Sequence, residues 1–596
     1  MSRLRRQFDA VFLTGFRAAP WVAAACLIMS AVAAAASVTY SIGFKLMIDG
    51  AIAHDGTRIW LGAGLVAALF TLGWLLAIVS GWEMSMLTDR VNLRLGTRIA
   101  RLVATLPTLE HLERPELLRR IEQLTSNRRT LAGSPGQLFR LLGQALRAIG
   151  IVVLLATVYL PLLVIPLLAL APALADRRAA RVQQRSDDDL AEKRRLLTDL
   201  FTLATTASSA RELRTYGVTE PLARRHAELA DVIRRDSVRA AVRSAAWEAV
   251  GWGVFAVGVV AAIVILVLRA AHGHVSPGSV VMSVTLMRRA QTQISRSTDT
   301  MGSFNTARNA ADQLLWLEDH ARSFESAGRL RAKPPARMSR SLTLEGLEFA
   351  YPGAEDHTVL GPLELELPAG RSIAVVGENG AGKTTLVKLL CGMYLPSAGR
   401  ILLDDVDLAQ IDIVAWRERV SATFQDFVRF HLPLRDSVGV GDLYRLGDDA
   451  AVRSALDRAG GGSLEGELAD GLATQVGGRY TGGRELSGGQ WQRLALARGL
   501  MRENPLLIVL DEPTASLDAR TEGLLFERYV QAARVAGEAQ GTITLMVSHR
   551  FSTVRSADLI VVLENGRIAE VGSHRALIEA HGTYAELYEL QARAYA

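Results

Sequence analysis

An α-helical membrane domain joined to a soluble α/β domain is the fold this sequence predicts, and three observations predict it. Six apolar stretches, each near the length that crosses a bilayer as a helix, precede residue 300. The later residues have the mixed composition of a soluble domain, with strand patterns alternating with helical ones. A glycine-rich turn, Gly377-Glu-Asn-Gly-Ala-Gly-Lys-Thr384, follows directly on an apolar strand pattern from Ser372, which is the arrangement of a P-loop nucleotide-binding fold. At 596 residues the chain exceeds what one hydrophobic core supports, so at least two domains are required.

A hydrocarbon core of about 30 Å takes about 20 helical residues. The six stretches run from Pro20 to Met47, Trp60 to Trp82, Leu138 to Tyr159, Leu160 to Leu174, Trp247 to Leu268 and Pro277 to Ile294. Only Pro161 and its neighbours separate the third from the fourth. Arg3, Arg5 and Arg6 ahead of the first stretch resemble the start of a signal peptide, but the apolar run continues past Ser37 to Ile42, which is long enough to span.

Short links around His54, Pro161 and His272 alternate with two long connections, near 83–137 and 175–246. The long connections are rich in arginine, including Arg90, Arg94, Arg98 and Arg101 in one and Arg177, Arg178, Arg181 and Arg185 in the other. Basic residues gather on the cytoplasmic side, so both long connections, both termini and the soluble half are expected in the cytosol, with a multi-pass domain in the cytoplasmic (inner) membrane. Leu190, Leu196, Leu197, Leu200 and Leu203 recur at helical spacing, which predicts that the spanning helices continue into the cytosol as helical arms. The polar, proline-containing stretch from Ser326 to Arg337 marks a linker. The predicted division is 1–325 transmembrane, 326–340 linker and 341–596 nucleotide-binding.

The net charge of +6 is small for this length and is carried by arginines between apolar runs. That pattern speaks for membrane topology and against a nucleic-acid partner. Cys26 and Cys391 sit in different kinds of segment, so no disulfide is expected.

In the soluble half, Gly377, Gly380 and Gly382 permit the tight turn that aims successive N–H groups at a phosphate, and the helix beginning at Lys383 presents its positive end to the same point. Lys383 is expected to hold the β- and γ-phosphates and Thr384 to offer its hydroxyl to Mg²⁺. Glu378, Asn379, Ala381 and Thr385 complete the expected loop contacts. The apolar strand Leu506 to Leu510 delivers Asp511 to the metal side of the phosphates and Glu512 to the position that polarises an attacking water. Leu486-Ser-Gly-Gly-Gln490 opens a second helix, so Ser487, Gly488, Gly489 and Gln490 form another helix start with close backbone access.

Taken together these motifs resemble the ABC ATPase family. The resemblance implies that Tyr351 stacks on adenine, that Gln425 is the Q-loop glutamine and a metal contact beside Thr384 and Asp511, that Ser516-Leu-Asp518 is the D-loop, and that His549 is the catalytic switch histidine. Six spans ahead of one nucleotide domain are similar to a half-size ABC exporter of the type IV fold. Such a resemblance implies two paired half-transporter chains, a homodimer more readily than a heterodimer, with each ATP held between the phosphate loop of one and the signature serine and glycines of the other. Val476–Glu485 departs from the usual multidrug-exporter sequence at a place where the family contacts its cytoplasmic arms. That segment, with Phe424–Phe430 and Trp491, is similar to lantibiotic-type peptide exporters.

The function expected is ATP-driven export of a small molecule or peptide by alternating access. A lipid flippase, an exporter-fold importer and an ATP-gated regulatory membrane protein that does not pump are the alternatives. Arg288 and Arg289, charged residues inside the sixth stretch, are candidates for holding an anionic cargo.

Overall fold

The computed structural model describes residues 6, 9, 14–328, 332–478, 480–512, 537–548, 550 and 554–595. They fall into two units. One comprises the chain up to Arg101 with Glu122–Trp316; the other combines Leu102–Ile121 with the chain from Leu317 onward.

Six long helices make the first unit: α1 (Pro20–Ile52), α2 (Gly56–Thr105), α3 (Ser134–Val158), α4 (Leu170–Thr205), α5 (Thr219–Ala271) and α6 (Pro277–Gly328), with α2 and α6 running on into the second unit. The first five, with α4 taken from its approach at Leu160, are long and apolar enough to cross a membrane. In α2 only 6% of the most apolar window is buried, and Trp60, Trp74 and Trp82 point outward, so the apolar face suits lipid and not a protein core. The sixth helix has the length but is more polar, with Arg288 and Arg289 in its first turns. The break between α3 and α4 falls at Tyr159, whose backbone is extended, and Pro161 opens the short 3-10 turn Leu160–Leu163 that restarts the helix.

Small residues let these helices approach. A Cβ on Gly62 of α2 would lie 2.6 Å from the Met47 nitrogen and 2.7 Å from the Gly43 oxygen of α1, closer than real atoms pack. Asp49 at the end of α1 accepts hydrogen bonds from the Ser276 hydroxyl (2.8 Å) and the Gly278 N–H (2.9 Å), and so satisfies the start of α6.

The second unit is built on two sheets among the described residues. A four-stranded antiparallel sheet has the order β2 (Thr358–Pro368), β1 (Ser341–Ala350), β4 (Ala398–Leu403), β5 (Val406–Asp407). The six-stranded sheet has the order β10 (Arg567–Gly572), β9 (Leu559–Glu564), β3 (Ser372–Val376), β8 (Ile543–Val547), β7 (Leu507–Asp511), β6 (Val420–Thr423), parallel except at β10. Strands β3 and β8 are buried along their whole length, which is why they read as unbroken apolar runs. Helix α7 (Lys383–Leu390) follows β3, and helix α8 (Gly488–Gly499) lies later in the chain. The core on one side gathers Leu344, Phe349, Leu386, Leu390, Trp416 and Leu545. A second core gathers Val452, Trp491, Leu494, Leu510 and Tyr584.

Trp416 has no exposed surface, and its indole N–H donates to the Leu390 carbonyl at 3.0 Å. Trp416→Ala is expected to cost about 3–5 kcal/mol. In a thermal melt of the full-length protein in detergent, the transition of the nucleotide-binding unit should fall by roughly 6–20 °C. An unchanged midpoint would place Trp416 outside the core.

Candidate nucleotide-binding site

The carboxyl ends of the central strands set the site. Register pairs Val375 of β3 with Val547 of β8, and Val547 with Asp511 of β7, so the loop after β3 and the carboxylates after β7 emerge along one edge of the sheet. This is where open α/β sheets bind ligands.

The loop after β3 needs its glycines. Gly377, Gly380 and Gly382 have φ of 152°, 87° and 97°. A Cβ on Gly382 would meet the Leu360 side chain at 2.4 Å, and one on Gly377 would meet the Leu563 carbonyl at 2.1 Å. Gly382 caps α7 with no side chain, which leaves the first N–H groups of that helix open to an anion.

Lys383 is 8% exposed and donates from Nζ to the carbonyls of Gly377 and Glu378, both at 2.8 Å. Burial pulls its ammonium below the ordinary lysine range, while Glu512 and Asp511 oppose that shift. Asp511 is 1% exposed, and burial pushes its carboxyl up to about 6. The Thr384 hydroxyl lies near enough to favour the ionised form, whereas Glu512 and Asp426 disfavour it. Yet neither Asp511 oxygen has an aligned hydrogen-bond partner among the described residues. Glu512 adopts φ of +46°, strained for a non-glycine residue, and accepts a 2.9 Å hydrogen bond from Gln425 Nε2.

A cavity of about 640 Å³ opens over this edge. Eight of its nine lining residues are ones the sequence singles out: Asn379, Gly380, Gly382, Lys383, Thr384, Thr385, Gln425 and Glu512. Glu378 and Gly377 carry the carbonyls that hold Lys383, and Ala381 is buried behind the loop. The arrangement can cradle phosphate oxygens with backbone N–H groups and one ammonium, and can hold a water against a carboxylate.

Other residues are placed differently. Tyr351 packs edge-on against Phe349 and Tyr394, at ring distances of 5.1 and 5.6 Å, and its hydroxyl lies 3.0 Å from that of Thr385. Its ring therefore borders the loop helix without lining the cavity. Ser487, Gly488, Gly489 and Gln490 are also absent from the cavity wall. They begin α8 with a reciprocal cap: Ser487 Oγ accepts from the Gln490 N–H, and Gln490 Oε1 accepts from the Ser487 N–H. Ser487 and Gly488 are exposed, and nothing lies within 4 Å of a Cβ placed on Gly488, so this helix start faces open space. Asp518 and His549 lie outside the described residues.

The segment Val476–Glu485 folds back on itself ahead of α8. Gly477 N–H donates to Arg484 O at 2.8 Å, and Gly478 N–H donates to Glu485 Oε2 at 2.8 Å, which holds the Glu485 carboxyl below its usual range.

Sequence reasoning missed a second contact set in this unit. Helix α2 ends at Thr105 as Pro107 approaches, and the turn Glu110–Glu113 then packs on the segment after α7. Leu109 N–H donates to Met393 O at 3.1 Å, Arg417 reaches the Pro107 carbonyl, and the Tyr394 hydroxyl donates to Glu113. Arg114 pairs with Glu355 at 3.0 Å. Pro107 is the only local signal for this break; the partners lie hundreds of residues away.

A phosphate cradle on a sheet edge, in a chain that also carries helices long and apolar enough to cross a membrane, defines an ATP-driven membrane transporter. The chain belongs to the ABC transporter family, as a half-size, exporter-type member: the profile of the ABC transporter nucleotide domain matches residues 360–515, and that of the ABC transporter transmembrane region matches 23–293. It is 31% identical over 428 residues to an ATP-dependent lipid A-core flippase of Chromohalobacter salexigens, covering 72% of this chain and 70% of the relative. A protein of the same name from Albidiferax ferrireducens is 29% identical over 601 residues, covering 99% and 97%. Among solved structures, a bacterial Atm1-family ABC exporter with ATP bound shares the fold, with a TM-score of 0.76, 23% identity and coverage of 96% and 98%. The protein hydrolyses ATP to drive export.

The two inner loop glycines should separate in a binding assay. Gly382→Ala meets both the wrong φ and the Leu360 side chain, whereas Gly380→Ala meets only the wrong φ, with open space beyond. Left-handed backbone costs an L-residue roughly 1–2 kcal/mol. Gly380→Ala is therefore expected to weaken binding of a fluorescent ATP analogue by roughly 5–30-fold, and Gly382→Ala by more. Equal losses would contradict the packing described for Gly382.

Proposed function

We propose that the chain is one half of a homodimeric exporter in which each ATP is sandwiched between the phosphate loop of one copy and the start of α8 of the other. The observation that carries this reading is the separation of the motif residues within one chain. Lys383, Thr384, Gln425 and Glu512 line one cavity, while Ser487, Gly488 and Gly489 offer a second open helix start elsewhere. Two helix starts bind one polyphosphate better than either alone, because each presents unsatisfied N–H groups and a positive dipole end. ATP then favours the closed pair, and its cleavage releases it.

In this reading Lys383 neutralises the β- and γ-phosphate oxygens, and the loop N–H groups bind them along the turn. Glu512 orients the attacking water, with Gln425 holding the carboxylate in place at 2.9 Å. Mg²⁺ fits the residues present. The buried, unpartnered oxygens of Asp511 and the hydroxyl of Thr384 are hard donors, and magnesium takes one or two protein oxygens beside substrate phosphates. When bound it supplies charge to the phosphate oxygens. Gln425 would reach it by turning from Glu512. Tyr351 would stack on adenine after its ring turns from Phe349 and Tyr394, Asp518 would meet the partner copy, and His549 would contact the γ-phosphate.

The functional division proposed is 1–325 for the membrane domain, 326–340 for the linker and 341–596 for the nucleotide domain, supported by the start of β1 at Ser341. Arginine-rich long connections support placing both termini and the nucleotide domain in the cytosol, with the helices in the inner membrane. For cargo, a lipid is favoured by the name of relatives aligned over almost the whole chain.

The test is Glu512→Gln in protein reconstituted into nanodiscs. Steady phosphate release should fall by at least about 10²-fold while ATP remains bound. Unchanged hydrolysis would reject Glu512 as the water-orienting carboxylate.

A further inference from the structure

Three aromatic rings stand between the phosphate-loop helix and the turn that follows α2. Phe349, Tyr351 and Tyr394 meet edge-on or tilted, with centres 5.1 Å (Phe349 to Tyr351), 5.2 Å (Phe349 to Tyr394) and 5.6 Å (Tyr351 to Tyr394) apart. Tyr351 is the more open member of the pair of tyrosines, and its hydroxyl shares a hydrogen bond of 3.0 Å with that of Thr385 on α7. Tyr394 is only 3% exposed. Its hydroxyl donates to Glu113, a residue of the α2 turn 281 positions earlier in the chain. Burial, and after it the Glu113 carboxylate, holds the Tyr394 phenol far above its usual range, so it keeps the proton it donates.

Other ties join the same parts. Glu113 pairs with the Lys388 ammonium of α7 at 3.9 Å, and that ammonium sits 5.5 Å from the centre of the Tyr351 ring and 5.9 Å from that of Tyr394. Further out, Arg114 reaches Glu355 at 3.0 Å, and Glu355 also takes the Gly353 N–H at 3.0 Å. The Glu355 side chain is 64% exposed, so water screens that ion pair and it holds little. The buried phenol is the stiffer link between the Tyr351 loop and the α2 turn.

Stacking a base on Tyr351 requires its ring to leave the trio. An edge-to-face ring pair and a base stacked on an aromatic side chain are of similar strength, so a base can replace the contacts with Phe349 and Tyr394 at little net cost. Tyr394 then loses packing on one side, and its hold on Glu113 slackens. Phosphates alone give the rings no such reason to move, since neither tyrosine lines the cavity over Lys383.

We propose that Tyr394 relays the seating of the nucleotide base from Tyr351 to Glu113, so that the α2 turn answers to the base and not only to the phosphates. The relay rests on the reading that adenine stacks on Tyr351. Tyr394 and Glu113 are positioning residues in it, and the turn loosens when the base is in place.

The experiment uses the full chain in phosphatidylcholine nanodiscs and follows hydrogen exchange of the backbone N–H groups of Leu112, Arg114, Leu117 and Leu118. These are bonded within the turn and at the start of the helix Pro115–Ser126. Saturating magnesium ADP is compared with saturating magnesium pyrophosphate, which brings phosphates without a base. ADP should speed exchange at these groups at least about threefold, as expected when one ring contact is lost from the supports of the turn, and pyrophosphate should leave it within about 1.5-fold. In Tyr394→Phe, which keeps the ring and deletes the donor, exchange should start fast and ADP should add nothing. A ring that only fills the core would leave the ADP response intact. Glu113→Gln keeps an acceptor for the phenol and should keep the response. An equal response to pyrophosphate, a response that survives Tyr394→Phe, or one that vanishes in Glu113→Gln overturns the relay. Competition against a fluorescent ATP analogue keeps the two readings apart. Tyr351→Ala should weaken ADP binding at least about fivefold and leave pyrophosphate unchanged. Unchanged ADP binding rejects the stacking on Tyr351 and the relay with it, whereas weakened ADP binding without an exchange response in the wild type rejects the relay alone.

Discussion

Two charges held almost out of water, Lys383 on α7 and Asp511 at the end of β7, constrain the rest of the nucleotide-binding unit. A charge in that position costs several kcal/mol unless something compensates it. Lys383 leans on two loop carbonyls, and burial pushes the Asp511 carboxyl toward its neutral form. In the proposed site, phosphate oxygens would give the ammonium a better partner, and a divalent cation would give the carboxylate one. The parallel sheet exists, in functional terms, to hold these groups at a fixed spacing: the register that pairs β3 with β8 and β8 with β7 leaves no freedom for one strand end to drift from the other. Gln425 and the strained Glu512 then stand at the rim, tied by one hydrogen bond. A rim contact of that kind is easily exchanged for one to substrate or metal.

Nucleotide chemistry is useful for transport only if it moves something. Helix α2 runs unbroken for 50 residues from an apolar, outward-facing span to Thr105, roughly 75 Å at the rise of an α-helix. The turn that follows is gripped by Met393, Tyr394 and Arg417, just beyond the helix whose first residue is Lys383. Covalent continuity therefore links the membrane span to the neighbourhood of the phosphate loop through stiff elements. Helix α6 provides a second continuous connection, from Pro277 to Gly328. Small displacements at the loop have a route through packed structure, and need no separate messenger.

How much of this was legible depended on the range of the interaction. The strand, glycine turn and helix around Lys383 are local, so spacing alone revealed them, and the same holds for the apolar strand ending in Asp511. The spans were legible because a bilayer imposes length and hydropathy on each helix separately. The sixth was less so, since Arg288 and Arg289 dilute its apolar character. Contacts of Leu109, Glu113 and Arg114 with residues near 355 to 417 could not be read, because their partners are brought near only by the fold. Tyr351 shows the same limit: its motif gave the position beside the loop helix, but the packing of its ring on Phe349 and Tyr394 depends on a core that spacing does not describe.

In the proposed dimer, ATP joins two copies by bridging the phosphate loop of one and the start of α8 of the other. The direct measurement is a disulfide cross-link between Asn379→Cys and Ser487→Cys in one chain, with Cys26 and Cys391 replaced by alanine and Glu512 by glutamine to hold ATP in place. Covalent dimers should form on oxidation in the presence of ATP and Mg²⁺, and few without nucleotide. Monomers under both conditions, or dimers formed equally well without ATP, would contradict it.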